Sequence, residues 1–162
     1  MNVLAVVRYL HLLFAFLFAG GLFAAHLNTL AARRAADWAE RASRFESNRR
    51  LSLFICVPAL VVAGVLGQVL AMKLGYRMAD TRPFQIANGV WLALLVVTLA
   101  VEMPAALRLA GGARAVARAA PPQNGTEPVE WGAVLARWSI GNGIQLVLFL
   151  VILAVMAVPW HA

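Results

Sequence analysis

Charge is what this sequence has least of. Asp, Glu, Lys and Arg make up 13% of its 162 residues, about half the ~25% typical of soluble domains, while 62% are hydrophobic. So few charges cannot cover a soluble globule. Cysteine is nearly missing too: Cys56 alone excludes an internal disulfide and a cysteine-rich metal site. The chain has no phosphate-cradling glycine loop, no His-Glu-x-x-His run, and no serine paired with histidine and acid at a recognisable spacing. These absences exclude the soluble-type hydrolases and nucleotide enzymes. Histidine is sparse, at three residues: His11, His26 and His161.

What the chain does have is four apolar runs long enough to cross a bilayer, at about 4–30, 52–74, 86–109 and 134–159. They predict an all-α polytopic membrane protein, a single domain over residues 1–162 built as an antiparallel four-helix bundle. Its first partner is therefore the lipid bilayer. The net charge of +7 would suggest nucleic acid on a soluble surface. Here six arginines, from Arg33 to Arg50, fall between the first two runs without an aromatic-interleaved binding surface, so no nucleic-acid role follows. Arg114 and Arg118 lie in the third connection, and only Lys73, Arg77 and Arg82 lie in or beside the second. By the positive-inside rule the first and third connections are cytoplasmic, with both termini on the periplasmic side of a bacterial inner membrane. Arg8 is the sole charge ahead of a run too long for a signal peptide, which suits a retained first helix.

The basic segment 31–51 places Trp38, Ala42 and Phe45 at helical spacing. This predicts an extension of the first helix lying at the membrane interface. In the second run Ala59, Ala63, Gly67, Ala71 and Gly75 recur every four residues, a small-residue stripe that admits a neighbouring backbone. Gly20, Gly21, Ala24 and Ala25 give the first run a similar face. Pro58 and Pro104 are expected to kink their helices, with neighbours satisfying the freed carbonyls. Segment 110–133, rich in Gly and Pro, reads as a mobile loop, and its sequon at Asn124 carries no meaning on the cytoplasmic side. Trp131, Trp138 and Trp160 flank the last run as interfacial aromatics.

The polar residues of the runs sort into two layers. Arg8, His11, Gln68 and Asn88, with His161, belong to the outer layer; His26, Asn28, Cys56, Glu102, Asn142 and Gln145 belong to the inner one. His11 and His26 share a helix face but stand ~22 Å apart along the axis, so they cannot ligate one metal ion together. Arg8, one turn before His11, suits the carboxylates of a haem or another anionic ligand. The plainer alternative is an arginine snorkelling to headgroups, with His11 bonded to a backbone carbonyl. His26 and Glu102 fall at similar depth, either as a buried structural pair or as part of a proton relay or metal site. Cys56 beside His26 would make a soft copper site, but a lone cysteine in an apolar helix is ordinarily a small buried hydrophobe. His161 is either a further ligand or an interfacial residue.

His11, Phe18, Gly20 and Gly21 spell His-x6-Phe-x-Gly-Gly. This resembles the His-x6-Trp-x-Gly/Ala-Gly pattern that opens several bacterial membrane families, with Phe18 in place of the tryptophan. They are the copper-resistance D-like proteins, the haem-binding HemJ-type protoporphyrinogen oxidases, and an uncharacterised four-span family of predicted integral membrane proteins. The last is the most similar in whole-chain layout. The resemblance implies a haem or metal ligand role for His11 alone, with no further residue matching the HemJ-type catalytic pattern.

Three functions follow as expectations. The first is a b-type haem protein with His11 as axial ligand and Arg8 near a propionate, exchanging electrons with a quinone or porphyrin partner. The second is copper or other metal transport or binding. The third is an accessory or assembly subunit of a membrane complex, or a homo-oligomer, whose histidines only knit the bundle.

Overall fold

The computed structural model describes residues 2–77, 81–119 and 130–157. Over these the chain is all-α: α1 (Val3–Arg34), α2 (Trp38–Leu51), α3 (Val57–Lys73), α4 (Arg82–Val97), α5 (Met103–Arg118) and α6 (Trp131–Ala157). Short π-helical turns, Ser52–Cys56 and Thr98–Glu102, join α2 to α3 and α4 to α5. Four continuous helices result, each long and apolar enough to cross a membrane: Val3–Arg34, Trp38–Lys73, Arg82–Arg118 and Trp131–Ala157. They run up and down as a four-helix bundle.

The π-turns have a common cause. Each is followed by a proline, Pro58 or Pro104, whose ring would strike the carbonyl four residues back and which offers no N–H to it. One wider turn relieves the clash, with Val57 N–H reaching Ser52 O and Met103 N–H reaching Thr98 O. The carbonyl that Pro104 frees belongs to Ala100, and the Arg137 guanidinium of α6 donates to it at 3.4 Å. A neighbouring helix thus supplies the missing donor.

The basic segment departs from expectation. It does not extend α1 but forms α2, which runs on into the second span. Ala35 is extended, and the Asp37 carboxylate accepts from Glu40 N at 2.7 Å, starting a new helix. Nor does the Trp38–Ala42–Phe45 face lie on a membrane surface. Ala42 and Phe45 are buried, and both Trp38 and Phe45 meet Trp131 edge-to-face at centroid distances of 5.1 and 5.4 Å. Likewise the segment predicted to be loose from residue 110 is helical to Arg118, its alanines packed against α2. Small buried residues at Ala105, Ala106, Ala110 and Ala113 allow that approach.

Trp138, read from sequence as an interfacial aromatic, is buried inside the bundle at 1% exposed. Its indole N–H donates to Thr29 Oγ1 at 2.9 Å, Asn48 Nδ2 donates to the same oxygen at 3.0 Å, and the hydroxyl itself donates to Ala25 O at 2.8 Å. One threonine therefore ties α1, α2 and α6 together at the basic end. Trp160, Asn124 and His161 lie outside the described residues.

Glu46 fastens α2 to α5. Its carboxylate accepts from Arg49 (2.6 and 2.9 Å), Arg50 (3.1 Å) and Arg114 of α5 (2.6 Å). The Arg49 bonds, with those from Arg50 and the charge of Arg114, outweigh partial burial and hold its pKa at about 2, below the ordinary 4.5. Because the folded value is the lower one, the unfolded chain takes up the proton first on acidification. The clamp's contribution is complete above pH 4.5 and lost as pH falls towards 2. Thermal melts across that window should show a fall in Tm that is blunted in Glu46→Gln; equal pH slopes for the two proteins would contradict the assignment.

Candidate functional site: a cavity at the terminal end of the bundle

At the end opposite the basic helices, α1, α3, α4 and α6 enclose a cavity of about 540 Å³. Its floor is apolar: Phe18 and Phe149 meet edge-to-face at 6.0 Å beside Leu94 and Leu60. Its polar lining includes Arg8, His11, Gln68 and Asn88, the outer layer anticipated from sequence. Gln68 Nε2 donates to Asn88 Oδ1 at 2.7 Å, while the buried Asn88 Nδ2 has no partner among the described residues.

His11 is 8% exposed, and its Nδ1 lies 2.8 Å from the carbonyl oxygen of Ala63. A carbonyl can only accept, so Nδ1 carries the proton and Nε2 of the neutral ring keeps its lone pair. Gly67, one turn on from Ala63, makes the bond accessible: a Cβ there would stand 3.0 Å from His11 Cε1. The small-residue stripe of α3 therefore admits a side chain as well as a backbone. The same device recurs deeper in the bundle. Trp91 Nε1 donates to Leu60 O at 3.0 Å, its indole lying over Gly64, where any Cβ would collide with the ring. Gly64→Ala should displace Trp91 and cost about 1–3 kcal/mol of stability; an unchanged denaturation midpoint would show that the indole has room to move.

Arg8 is exposed at the cavity's rim one turn from His11, and no carboxylate pairs with it among the described residues. It offers a cation beside an apolar chamber holding one oriented imidazole. Met156 of α6 brings a thioether to the same lining.

The inner layer is arranged differently from the expected His26–Glu102 pair. His26 is exposed on the outside of the bundle and makes no side-chain hydrogen bond among the described residues. Glu102 is 2% exposed, facing Asn142 and Gln145 of α6. The two residues do not form one site. Cys56 packs against Gly21 rather than beside His26, and no group of three or more His, Cys, Asp or Glu side chains placed to hold a metal ion occurs among the described residues. Asn28 is half-buried.

Sequence reasoning missed Trp91, Gly64, Tyr76 and Met156 as cavity-lining residues. For Trp91 and Gly64 the signal is the glycine four residues after the carbonyl that receives an extra donor; no such signal marks Tyr76 or Met156. Comparisons with protein-family models, curated proteins and solved structures found no match to this chain.

Proposed function

We propose that this is a multi-pass protein of the bacterial inner membrane that holds a b-type haem in the cavity at its periplasmic end. In this reading His11 would ligate the iron and Arg8 would pair with the anionic edge of the group. The observation that carries it is the His11 imidazole, whose Nδ1–H is committed to the Ala63 carbonyl at 2.8 Å. That bond fixes the tautomer and aims the remaining nitrogen, the arrangement by which proteins orient a ligating histidine.

The cavity fits such a group on two further counts. Its volume lies within the ~300–1,000 Å³ of small-molecule and cofactor sites. Its walls are mostly apolar, with a guanidinium at the rim, matching a flat apolar ring with carboxylates at one edge. When bound, haem supplies one-electron redox chemistry. The chain's own work is to orient one imidazole, neutralise an anionic edge with Arg8, and keep water from the floor with Phe18, Leu94 and Phe149. Met156 of α6 would offer its thioether to the same group, and His161, the other ligand candidate from sequence, lies outside the described residues. The electron partner is then a quinone or a porphyrin arriving from the lipid.

Titrating the detergent-purified protein with haemin tests this reading. The expected result is a saturable Soret band at one haem per chain, weakened in Arg8→Gln. A linear, unsaturable response indistinguishable from that of empty micelles would contradict it. A second reading rests on His11 and Met156 lining one cavity: imidazole with thioether suits copper(I). Stoichiometric copper in a haem-free sample would favour it. The metal role proposed for His26 and Glu102 loses its basis with their separation.

A further inference from the structure

Beneath the cavity floor lies a buried polar layer that the haem reading leaves unused. One turn below Leu94, Thr98 donates to Leu94 O at 2.7 Å and accepts from Gln145 Nε2 at 2.6 Å. A further turn down, Glu102 sits against Gly141, its carboxyl facing the Asn142 and Gln145 amides. Glu102, Asn142 and Gln145 are 2%, 1% and 0% exposed. Several of their polar atoms have no hydrogen-bond partner among the described residues: Glu102 Oε1, both ends of the Asn142 amide, and Gln145 Oε1. Along the same helices the layer falls between two buried apolar clusters, one holding Leu94 and Phe149 and the other Leu109 and Trp138.

Charged and titratable groups on the surrounding elements do not neutralise Glu102. Arg137 of α6 reaches the Ala100 carbonyl instead and is exposed, Arg108 of α5 and His26 of α1 are exposed, and Cys56 comes from the other π-turn. A carboxylate here would be an uncompensated charge at membrane depth, which is costly. It would also be acceptor-only, leaving the Asn142 carbonyl oxygen orphaned. A carboxylic acid instead has one donor and one acceptor, the complement of an amide. Their terminal torsions are soft enough to bring the two groups together. The carboxyl sits on a π-turn, an irregularity frequent at functional sites.

We infer that Glu102 is a proton-binding site inside the spanning region, occupied at neutral pH and completed by the Asn142 amide. The proton is its ligand, and the pairing selects the acid form over the ionised one. Nothing in this depends on a cofactor in the outer cavity, so either reading can fail alone.

Infrared difference spectroscopy tests it on the full chain in lipid at neutral pH, comparing the parent with Glu102→Gln. The expected result is a protonated-carboxyl C=O band that shifts in D₂O and is lost in the variant, and that Asn142→Leu moves to higher frequency. Carboxylate bands in its place would overturn the inference. So would carboxylate bands that depend on sodium or potassium, which would assign a cation to the site. Should Glu102→Gln not fold, ¹³C-carboxyl labelling of glutamate in the unaltered protein reads the same band directly. The other described glutamates, Glu40, Glu46 and Glu130, lie outside the apolar spans.

Discussion

Replacing His11 with alanine is expected to abolish stoichiometric haem binding while leaving the bundle folded. In the proposed reading the imidazole would supply the nitrogen ligand, and its one side-chain hydrogen bond among the described residues, to Ala63 O, belongs to an α3 carbonyl with an intrahelical position of its own. Losing that bond costs about 0.5–1.5 kcal/mol, too little to unfold a four-helix core. The ligand loss should be far larger, since Arg8, Gln68 and Asn88 cannot replace the imidazole nitrogen and Met156 would be left as the one remaining donor among the described lining residues. Adding free imidazole to the variant should restore part of the Soret band by filling the vacated space. Equal haem content in His11→Ala and the parent would sink the ligand assignment, and Gly67→Val should imitate the loss by pushing the ring aside.

Thr29→Val should give the largest loss of stability. Valine keeps the shape but removes the oxygen that accepts from both Trp138 Nε1 and Asn48 Nδ2. Each buried donor left orphaned costs about 1–3 kcal/mol, so the pair together should cost about 2–6 kcal/mol. Thr29→Ser, which retains the hydroxyl, should lose far less. Denaturant melts of the three proteins decide this. A Thr29→Val midpoint equal to that of the parent would mean that water or a shifted side chain takes over the role of acceptor.

The spans were legible because bilayer depth imposes a length and a hydropathy that sequence displays directly. The outer polar layer was legible for a related reason. Arg8, His11, Gln68 and Asn88 all fall near helix ends on the same side, so depth alone gathers them. The His26–Glu102 pair failed because depth does not fix rotation. The π-turn at Thr98–Glu102 adds a residue to its turn and shifts the facing of the side chains on either side of it. Ser52-Leu-Phe-Ile-Cys-Val-Pro58 and Thr98-Leu-Ala-Val-Glu-Met-Pro104 share a hydroxyl residue six positions before the proline and a leucine after it, and this pattern marks both irregular turns. Trp138 and Trp131 misled for another reason. Tryptophan at a span's end ordinarily meets headgroups, but here both rings are buried inside the bundle, Trp131 against Trp38 and Phe45 of α2 and Trp138 against Thr29 of α1.

The proton-binding reading of Glu102 and the haem reading of His11 divide the spanning region into two sites. Between them lie one turn of helix bearing Thr98 and Gln145 and a floor of Phe18, Leu94 and Phe149. A carboxylate below this floor would be felt by a haem above it, whereas the acid form and glutamine are both uncharged; at neutral pH the haem's midpoint potential should therefore stay nearly unchanged when Glu102 is replaced by glutamine, and a large shift would point to an ionised Glu102.

The visible spectrum of the detergent-purified protein, oxidised and then reduced with dithionite, with metal analysis of the same sample, is the most direct test of the central claim. Protein from haem-supplied cells should show a stoichiometric Soret band that shifts on reduction. A colourless, haem-free preparation from the same cells would contradict the haem assignment: copper in it would move the His11 cavity to metal binding, and neither haem nor metal would leave the protein as an accessory subunit of a larger membrane complex.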